Sequence, residues 1–121
     1  MGLIAKQLGK VAYITATTVG TAQTLVTNAT TLDTIVTAVT VHNTNTSAIT
    51  VTICRVPASG GAVDTADIND EVWQQSIAAS DTEIYDVPMA LTDTNDTIQV
   101  YASEASKVNC WADGFTLPDQ T

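Results

Sequence analysis

Short runs rich in Val, Ile and Thr alternate along the chain with clusters of Asn, Asp, Ser, Gly and Pro. Alternation of apolar and polar residues with a period of two is typical of half-buried β-strands. It predicts strands over 10–16, 22–26, 34–43, 49–56, 83–87, 96–102 and 109–117. Residues 72–78 fit either a strand or a helical turn. Residues 57–70 are predicted to form a surface loop with at most a short helical turn.

The runs at 34–43 and 49–56 are separated only by the polar cluster Asn43-Thr44-Asn45-Thr46-Ser47. Two strands joined by a short, Asn-rich connection usually pair as a β-hairpin. We therefore expect these two strands to pair antiparallel, with Ile49, Val51 and Ile53 facing the core.

About seven or eight short strands without βαβ alternation favour a single all-β domain, an antiparallel β-sandwich of jelly-roll or immunoglobulin-like type. The chain has 121 residues, which suits one domain. Residues 1–9 fall outside the strand pattern and are interpreted as an N-terminal arm, followed by the sandwich over 10–121. The arm is either a frayed terminus or a segment that docks on a neighbouring subunit.

Threonine is abundant, aromatic residues make up only 5% of the chain, and the net charge is −9. Lys6, Lys10 and Arg55 outnumber Asp33 in residues 1–63, whereas the remaining acidic residues fall between Asp64 and Asp119. An acidic surface repels phosphate groups, so neither a nucleic acid nor an anionic membrane is an expected partner.

No residue pattern predicts an enzyme, a cofactor or a metal centre. His42 is the single histidine, lies inside a predicted strand and is accompanied by no nucleophile motif. The acidic clusters at 64–71 and 93–96 are more typical of turn and helix-cap residues than of a calcium-binding loop. Cys54 and Cys110 match no zinc spacing and are interpreted as reduced, buried residues.

Five apolar residues are candidates for contact with a partner. Each of them is also explained without a partner, as a core residue or as part of a frayed terminus. Trp73 and Trp111 are the largest apolar side chains, and aromatic residues often anchor interfaces. The other three lie in the arm: Leu3, Ile4 and Leu8.

Segments 24–30, 39–44 and 48–53 form a strand, a turn, a long strand ending in Asn-Thr, and a Thr/Val strand. This order, with the later Asp96-Thr97-Ile98-Gln99-Val100-Tyr101-Ala102 and Asp113-Gly114-Phe115, resembles small β-sandwich structural proteins of tailed bacteriophage virions. The resemblance rests on strand and turn motifs and covers no catalytic signature.

The resemblance implies a virion structural protein that is made in the host cytoplasm and binds the major capsid protein or other virion proteins. The small size, the single domain, the acidic half and the lack of a catalytic motif favour a capsid decoration (cement) protein among these. Such proteins commonly sit at symmetry axes, so a homo-oligomer is expected, for which a trimer is one arrangement. Two alternatives stay open: a tail, neck or fibre-adaptor component, and a carbohydrate-binding module. The module would require an exposed aromatic platform at Trp73 or Trp111.

Replacing Val51 with Asp tests the predicted inward face of the 49–56 strand. The substitution buries an uncompensated carboxylate, so we expect a loss of several kcal/mol in the free energy of unfolding, measured by urea denaturation. A soluble, folded Val51→Asp protein would show that Val51 faces solvent.

Overall fold

The computed structural model describes residues 5–118, and these form two antiparallel sheets packed face to face. The all-β sandwich expected from the sequence is confirmed. The strands are β1 (Lys6–Val11), β2 (Gln23–Thr27), β3 (Leu32–Asn43), β4 (Ile49–Val56), β5 (Glu71–Ile77), β6 (Thr82–Tyr85), β7 (Met89–Leu91), β8 (Thr97–Ala102) and β9 (Val108–Pro118). Two 3-10 helices occupy Val19–Thr21 and Ile68–Asp70.

The first sheet has the order β1-β9-β3-β6, with β7 also pairing with β3, and the second has the order β2-β8-β4-β5. Four antiparallel pairs are therefore nested in sequence: β1 with β9, β2 with β8, β3 with β6, and β4 with β5. This nesting is the arrangement of a jelly roll, in which one long antiparallel ribbon is rolled into two sheets. Of the two sandwich types considered from the sequence, the jelly roll is the one found.

The predicted hairpin between the third and fourth strands is wrong. β3 pairs with β9, β6 and β7, whereas β4 pairs with β5 and β8, so the two strands lie in opposite sheets. The connection after Asn43 crosses from one sheet to the other. Asn43 is fully buried at this corner, and its side-chain amide donates to the carbonyls of Ser47 and Ile77 while its Oδ1 accepts from the Asn45 N–H.

The inward face of β4 is confirmed, because Ile49, Val51 and Ile53 are at most 1% exposed. They pack in one core with aliphatic residues from both sheets. Because aromatic residues are scarce, that core consists mainly of β-branched side chains, which fit a pleated surface well. The ambiguous 72–78 segment is a strand, β5.

The first strand begins earlier than predicted. β1 starts at Lys6 and pairs with β9, so Lys6–Gly9 lies in the first sheet rather than outside the strand pattern. Beyond Val11 the chain leaves β9, although Ile14 still exchanges backbone hydrogen bonds with Val108 and Ser106. Residues 1–4 of the expected arm lie outside the described residues.

Two glycines allow backbones to approach more closely than any side chain would permit. A Cβ added to Gly114 in β9 would lie 2.0 Å from the Ile35 carbonyl oxygen in β3. A Cβ added to Gly9 in β1 would lie 1.9 Å from the Leu25 carbonyl oxygen in β2, at the place where one edge of each sheet meets the other. The register shifts in these ladders fall on the partners of β9, between Gln7 and Gly9 in β1 and between Val36 and Ala38 in β3, both beside Asp113.

We expect Gly114→Ala and Gly9→Ala each to lower the free energy of unfolding by at least about 2 kcal/mol, because a backbone carbonyl must move away from the new methyl group. Gly20→Ala is the matched control, since nothing lies within 4 Å of its added Cβ. Urea denaturation of the three variants checks this, and equal stabilities would contradict the close approach.

Candidate interface surfaces

The five candidate partner residues do not form one surface. Trp111 lies in β9 between the inward-facing Cys110 and Ala112, and is therefore on the outer face of the first sheet. Trp73 and Leu8 are both partly buried against the core. Leu3 and Ile4 lie outside the described residues. Their role as partner-binding residues stays a prediction.

Trp73 helps to close the side of the sandwich where β5 and β6 are the edge strands. Its ring centroid lies 5.7 Å from that of Tyr85, with the rings tilted by 37°. Aromatic pairs at this separation contribute beyond their buried area. This contact accounts for a tryptophan at position 73, because its ring packs against Tyr85 between the β5 and β6 edges.

The outer face of the first sheet carries an apolar surface, which we call the Trp111 face. In the β9–β3 register, Trp111 lies opposite Thr40 and Phe115 lies opposite Ile35. The next strand places Ile84 beside Thr40, and Ile84 is 57% exposed. The Trp111 face comprises Ile35, Ala38, Thr40, Ile84, Trp111, Phe115 and Leu117.

The sequence signal for this face is that β9 carries large apolar residues on its outward side as well as apolar residues on its inward side. Its inward residues Cys110 and Ala112 are small, while the outward Trp111 and Phe115 are large. An ordinary strand of a solvated sandwich has a polar outward side. Sequence reasoning singled out Trp111 and missed Phe115, because Asp113 interrupts the outward row.

The outer face of the second sheet is covered by the chain itself. Cys54 and Val56 point outward from β4 and are buried under Ala66 of the long loop. The first 3-10 helix adds Val19 to the same cluster. The loop is held by a hydrogen bond from Gln99 Nε2 to the Asp64 carbonyl. Within residues 5–118, the two outer faces therefore differ, because a loop covers Cys54 and Val56 on the second sheet while Ile84 of the first sheet is exposed.

The acidic residues of the loops serve as turn and cap groups. Asp67 and Asp70 form a reciprocal capping box around the second 3-10 helix. Asp96 is only 4% exposed, and its carboxylate accepts the backbone N–H groups of Ala58, Thr92 and Asp93. Within residues 5–118, no three His, Cys, Asp or Glu side chains are grouped so as to hold a metal ion.

Two shallow grooves lie on the described surface. One, of about 230 Å³, opens between β1 and β2 and is lined by Leu8, Val26 and Leu32 with Lys6 at its side. The other, of about 330 Å³, lies on the outer side of the second sheet and is lined by Val63, Asp64 and Gln99, among others. Neither groove is lined by an aromatic ring.

His42 occupies a strand position on the outer face of the first sheet, as the sequence predicts. Its Nδ1 lies 2.7 Å from the Thr82 hydroxyl oxygen on β6. This pair links two neighbouring strands, and cross-strand polar pairs of this kind stabilise sheets. On the second sheet, the Tyr101 hydroxyl donates to the Glu71 carboxylate, and burial together with this bond raises the pKa of Tyr101.

Both cysteines are fully buried, on different sides of the sandwich. Cys110 lies in the core between the sheets, and Cys54 lies beneath the long loop. Burial raises the pKa of each thiol to about 12, with the nearby Glu71 and Asp70 adding to the effect at Cys54. A thiol of this kind is unreactive at neutral pH, because the thiolate is the nucleophile.

No protein-family model matches the chain, and no curated protein matches it. Among solved structures, the chain is similar to one from Bacillus endospore appendages, which form a novel family of disulfide-linked pili. The TM-score is 0.50, with 12% identity over 95% of this chain and 87% of that chain. This likeness shows a shared fold.

Two further similar structures are of infectious bursal disease virus. The Gx strain gives a TM-score of 0.40 and 10% identity over 98% of this chain, and the Gt strain a TM-score of 0.30 and 10% identity over 93%. This chain spans only 32% and 30% of those viral chains. In residues 5–118, no helix is long and apolar enough to span a membrane.

The buried thiols predict a loss of stability at high pH. The pKa of each thiol is about 12 in the folded protein against an ordinary value of 9.0. Above pH 9 the unfolded chain therefore binds fewer protons than the folded protein. The free energy of unfolding should fall between about pH 9 and pH 12, by up to ~1.4 kcal/mol per pH unit for each thiol.

The double variant Cys54→Ala, Cys110→Ala should show a shallower decline than the unsubstituted protein, measured by urea denaturation at several pH values. The other titrating groups are common to both proteins and cancel in the difference. Identical pH profiles would show that the thiols do not carry the effect.

Proposed function

We propose that this chain is a non-enzymatic structural protein of an assembled particle, and specifically a phage capsid decoration protein that binds and stabilises the capsid shell. The observation that carries the proposal is the difference between the two outer faces. Within residues 5–118, the loop buries Cys54 and Val56 on the outer face of the second sheet, whereas on the first sheet Ile84 is 57% exposed and Trp111 is partly exposed. A contiguous exposed apolar surface marks a site of contact with another protein.

The size of the Trp111 face suits this role. β9 has 11 residues, which corresponds to about 36 Å, and four neighbouring strands span about 19 Å. Because β1 and β6 have only six and four residues, the product, ~700 Å², is an upper bound, and it lies within the ~600–1,000 Å² that each partner contributes to a standard interface. Its apolar residues flank Asp113, which lies opposite Ala38 in the central ladder, and polar residues border the face, with Lys10 beside Trp111 and Asn109 beside His42.

The resemblance of the strand and turn motifs to virion proteins supports the placement in a phage particle. The shared fold with a chain of Bacillus pili supports, more broadly, a protein that acts by assembling with others. Those pili are described as disulfide-linked. Because Cys54 and Cys110 are buried, we propose that this chain assembles through non-covalent contacts instead.

A tail, neck or fibre-adaptor role would use the same apolar face on a different partner, and copy number in purified virions separates it from a shell protein. The carbohydrate-binding alternative requires an open aromatic platform. Trp73 does not offer one, since it packs against the core and contacts Tyr85, whereas Trp111 and Phe115 on the outer face of the first sheet are the rings that such a platform would use.

Binding to capsids that lack the protein tests the proposal through a matched pair of variants. Ile84→Asp places a charge on the Trp111 face, and Ile68→Asp does so on the loop of the other sheet, where Ile68 is 70% exposed. Burial of one such side chain is worth about 1.5–3 kcal/mol, so Ile84→Asp should weaken binding at least about tenfold. Ile68→Asp should bind normally, and both should melt like the unsubstituted protein.

Occupancy measured at low and high salt should change little, because apolar contacts are not screened and exposed ion pairs contribute only about 0–1 kcal/mol. Bound capsids should melt at a higher temperature than bare ones. Removal of residues 1–4 in a further variant tests the contribution predicted for Leu3 and Ile4. Failure of the unsubstituted protein to bind capsids at either salt concentration would exclude decoration and favour the tail or fibre role.

A further inference from the structure

The edges of the two sheets differ in how they are protected from pairing with another strand. A free edge exposes unpaired N–H and C=O groups, and proteins block such edges with Lys, Pro, bulges or short strands. β1 carries Lys6 and Lys10 and a register shift between Gln7 and Gly9. β2 has only five residues and a register shift between Thr24 and Val26. Both edges on that side of the sandwich are therefore blocked.

On the opposite side, the edge of the first sheet is also blocked. β6 has four residues, contains Glu83, and lies between Asp81 and Asp86 in the sequence. β7 has three residues and follows Pro88. A second copy presenting the same acidic strand would be repelled.

β5 is different, because it is a seven-residue edge strand without Lys or Pro. Glu71 is its only charged residue, and the register shift in its pairing with β4 falls at that end. Val72 is 40% exposed, and the Gln74-Gln75-Ser76 segment is exposed as well. Among the edge strands of the described chain, β5 is the longest without Lys or Pro, and its register shift lies at one end rather than in the middle.

The pairing on the inner side of β5 shows which of its backbone groups point outward. The Thr50 carbonyl accepts the Ser103 N–H, so Thr50 and Thr52 of β4 bond toward β8. Because antiparallel strands alternate, Val51 and Ile53 bond toward β5, where they lie opposite Gln75 and Trp73. The N–H and C=O groups of the intervening residues point away from the sheet. These residues are Gln74 and Ser76, whereas Val72 is the extra residue at the register shift between Trp73 and Glu71 and lies outside the regular alternation.

We propose that a second copy of this chain pairs with β5 through its own β5, antiparallel, about a two-fold axis at Gln74. In this register Gln74 faces Gln74 of the other copy, and Val72 faces Ser76. The outward N–H and C=O groups of Gln74 in the two copies then form inter-strand hydrogen bonds with each other, and those of Ser76 face the bulged Val72. The two second sheets become one continuous sheet, and a closed, isologous dimer results.

Charge favours a second copy at this edge over the others. Two chains of net charge −9 repel each other, so contact requires a neutral surface. The register places Glu71 opposite Ile77, so no carboxylate of β5 faces another carboxylate. The side chains nearest the axis are amides, hydroxyls and Val72, which pair across strands without penalty.

This dimer goes beyond the proposed function, because it uses the edge of the second sheet while the Trp111 face belongs to the first. A dimer therefore leaves the Trp111 face open for another protein. Dimerisation through β5 and capsid binding through the Trp111 face can therefore be tested separately. A variant that no longer dimerises can still bind capsids, and the Ile84→Asp variant should dimerise normally.

Cross-linking through an introduced cysteine tests the position of the axis. Residues of a hydrogen-bonded antiparallel pair have Cα atoms about 5.5 Å apart, within the range that a disulfide spans. Gln74→Cys should therefore oxidise to a covalent dimer, seen by non-reducing electrophoresis. The native cysteines give no background because they are buried. Thr82→Cys on the exposed part of β6 is the control and should stay monomeric.

Charge exchange tests the register without relying on oxidation. A variant with Val72→Lys and Ser76→Lys places like charges opposite each other in the dimer, as does one with Val72→Glu and Ser76→Glu. Each should be monomeric alone by sedimentation equilibrium, and an equimolar mixture should form the heterodimer. Both residues are exposed, so the melting temperature of each monomer should change little.

Three outcomes would overturn the proposal. The first is an unsubstituted protein that remains monomeric up to about 1 mM, a concentration at which even a dimer with a free energy of association of only about −4 kcal/mol is half formed. The second is dimerisation of each charged variant alone, which places the interface elsewhere. The third is association that grows without limit, which indicates head-to-tail pairing of β5 with a different edge.

Discussion

The ladder between β3 and β9 is the constraint on which the rest of the structure depends. It runs from Leu32 paired with Pro118 to Asn43 paired with Val108, with one register shift between Val36 and Ala38. Because side chains alternate across a strand, this single register decides both faces of the first sheet at once. A slip of one residue would turn Cys110 and Ala112 to the outside and force Trp111 into a core that has no space for it. The core and the Trp111 face are thus two results of the same pairing.

The sequence predicted the sandwich and most strand positions because period-two alternation is a local property. It predicted β4 with its correct bounds and its correct inward face. It could not predict the partners of β3 and β4, because a short polar connection has the same composition whether it makes a hairpin or a crossing between sheets. What distinguishes the two is Asn43, whose buried amide bonds Ile77 from a distant strand. The start of β1 at Lys6 was not predicted for a related reason, since Gln7 and Gly9 break the alternation where the strand bulges against β9.

The candidate surfaces were predictable only in part, and the reason lies in tertiary contacts. Trp73 and Trp111 are equivalent as residue types, but one contacts Tyr85 at the side of the sandwich and the other lies on an open sheet face. The coverage of the second sheet also depends on the loop returning over β4, where Ala66 meets Cys54 and Val56. No pattern of neighbouring residues in the sequence predicts that contact. The protective features of the strand edges, by contrast, can be read from sequence once the order of the strands is known.

The nesting of the strand pairs has a consequence for how the chain is made. In the first sheet, β1 pairs only with β9, the last strand in the sequence, and β3 also pairs with β9. Local hairpin contacts are confined to the middle of the chain, where β4 meets β5, so the fold has a high contact order and should form slowly. During synthesis the first sheet cannot close until β9 has left the ribosome. Until then the inner faces of β1 and β3 remain open to water and to other nascent chains, and this is when aggregation threatens the protein most.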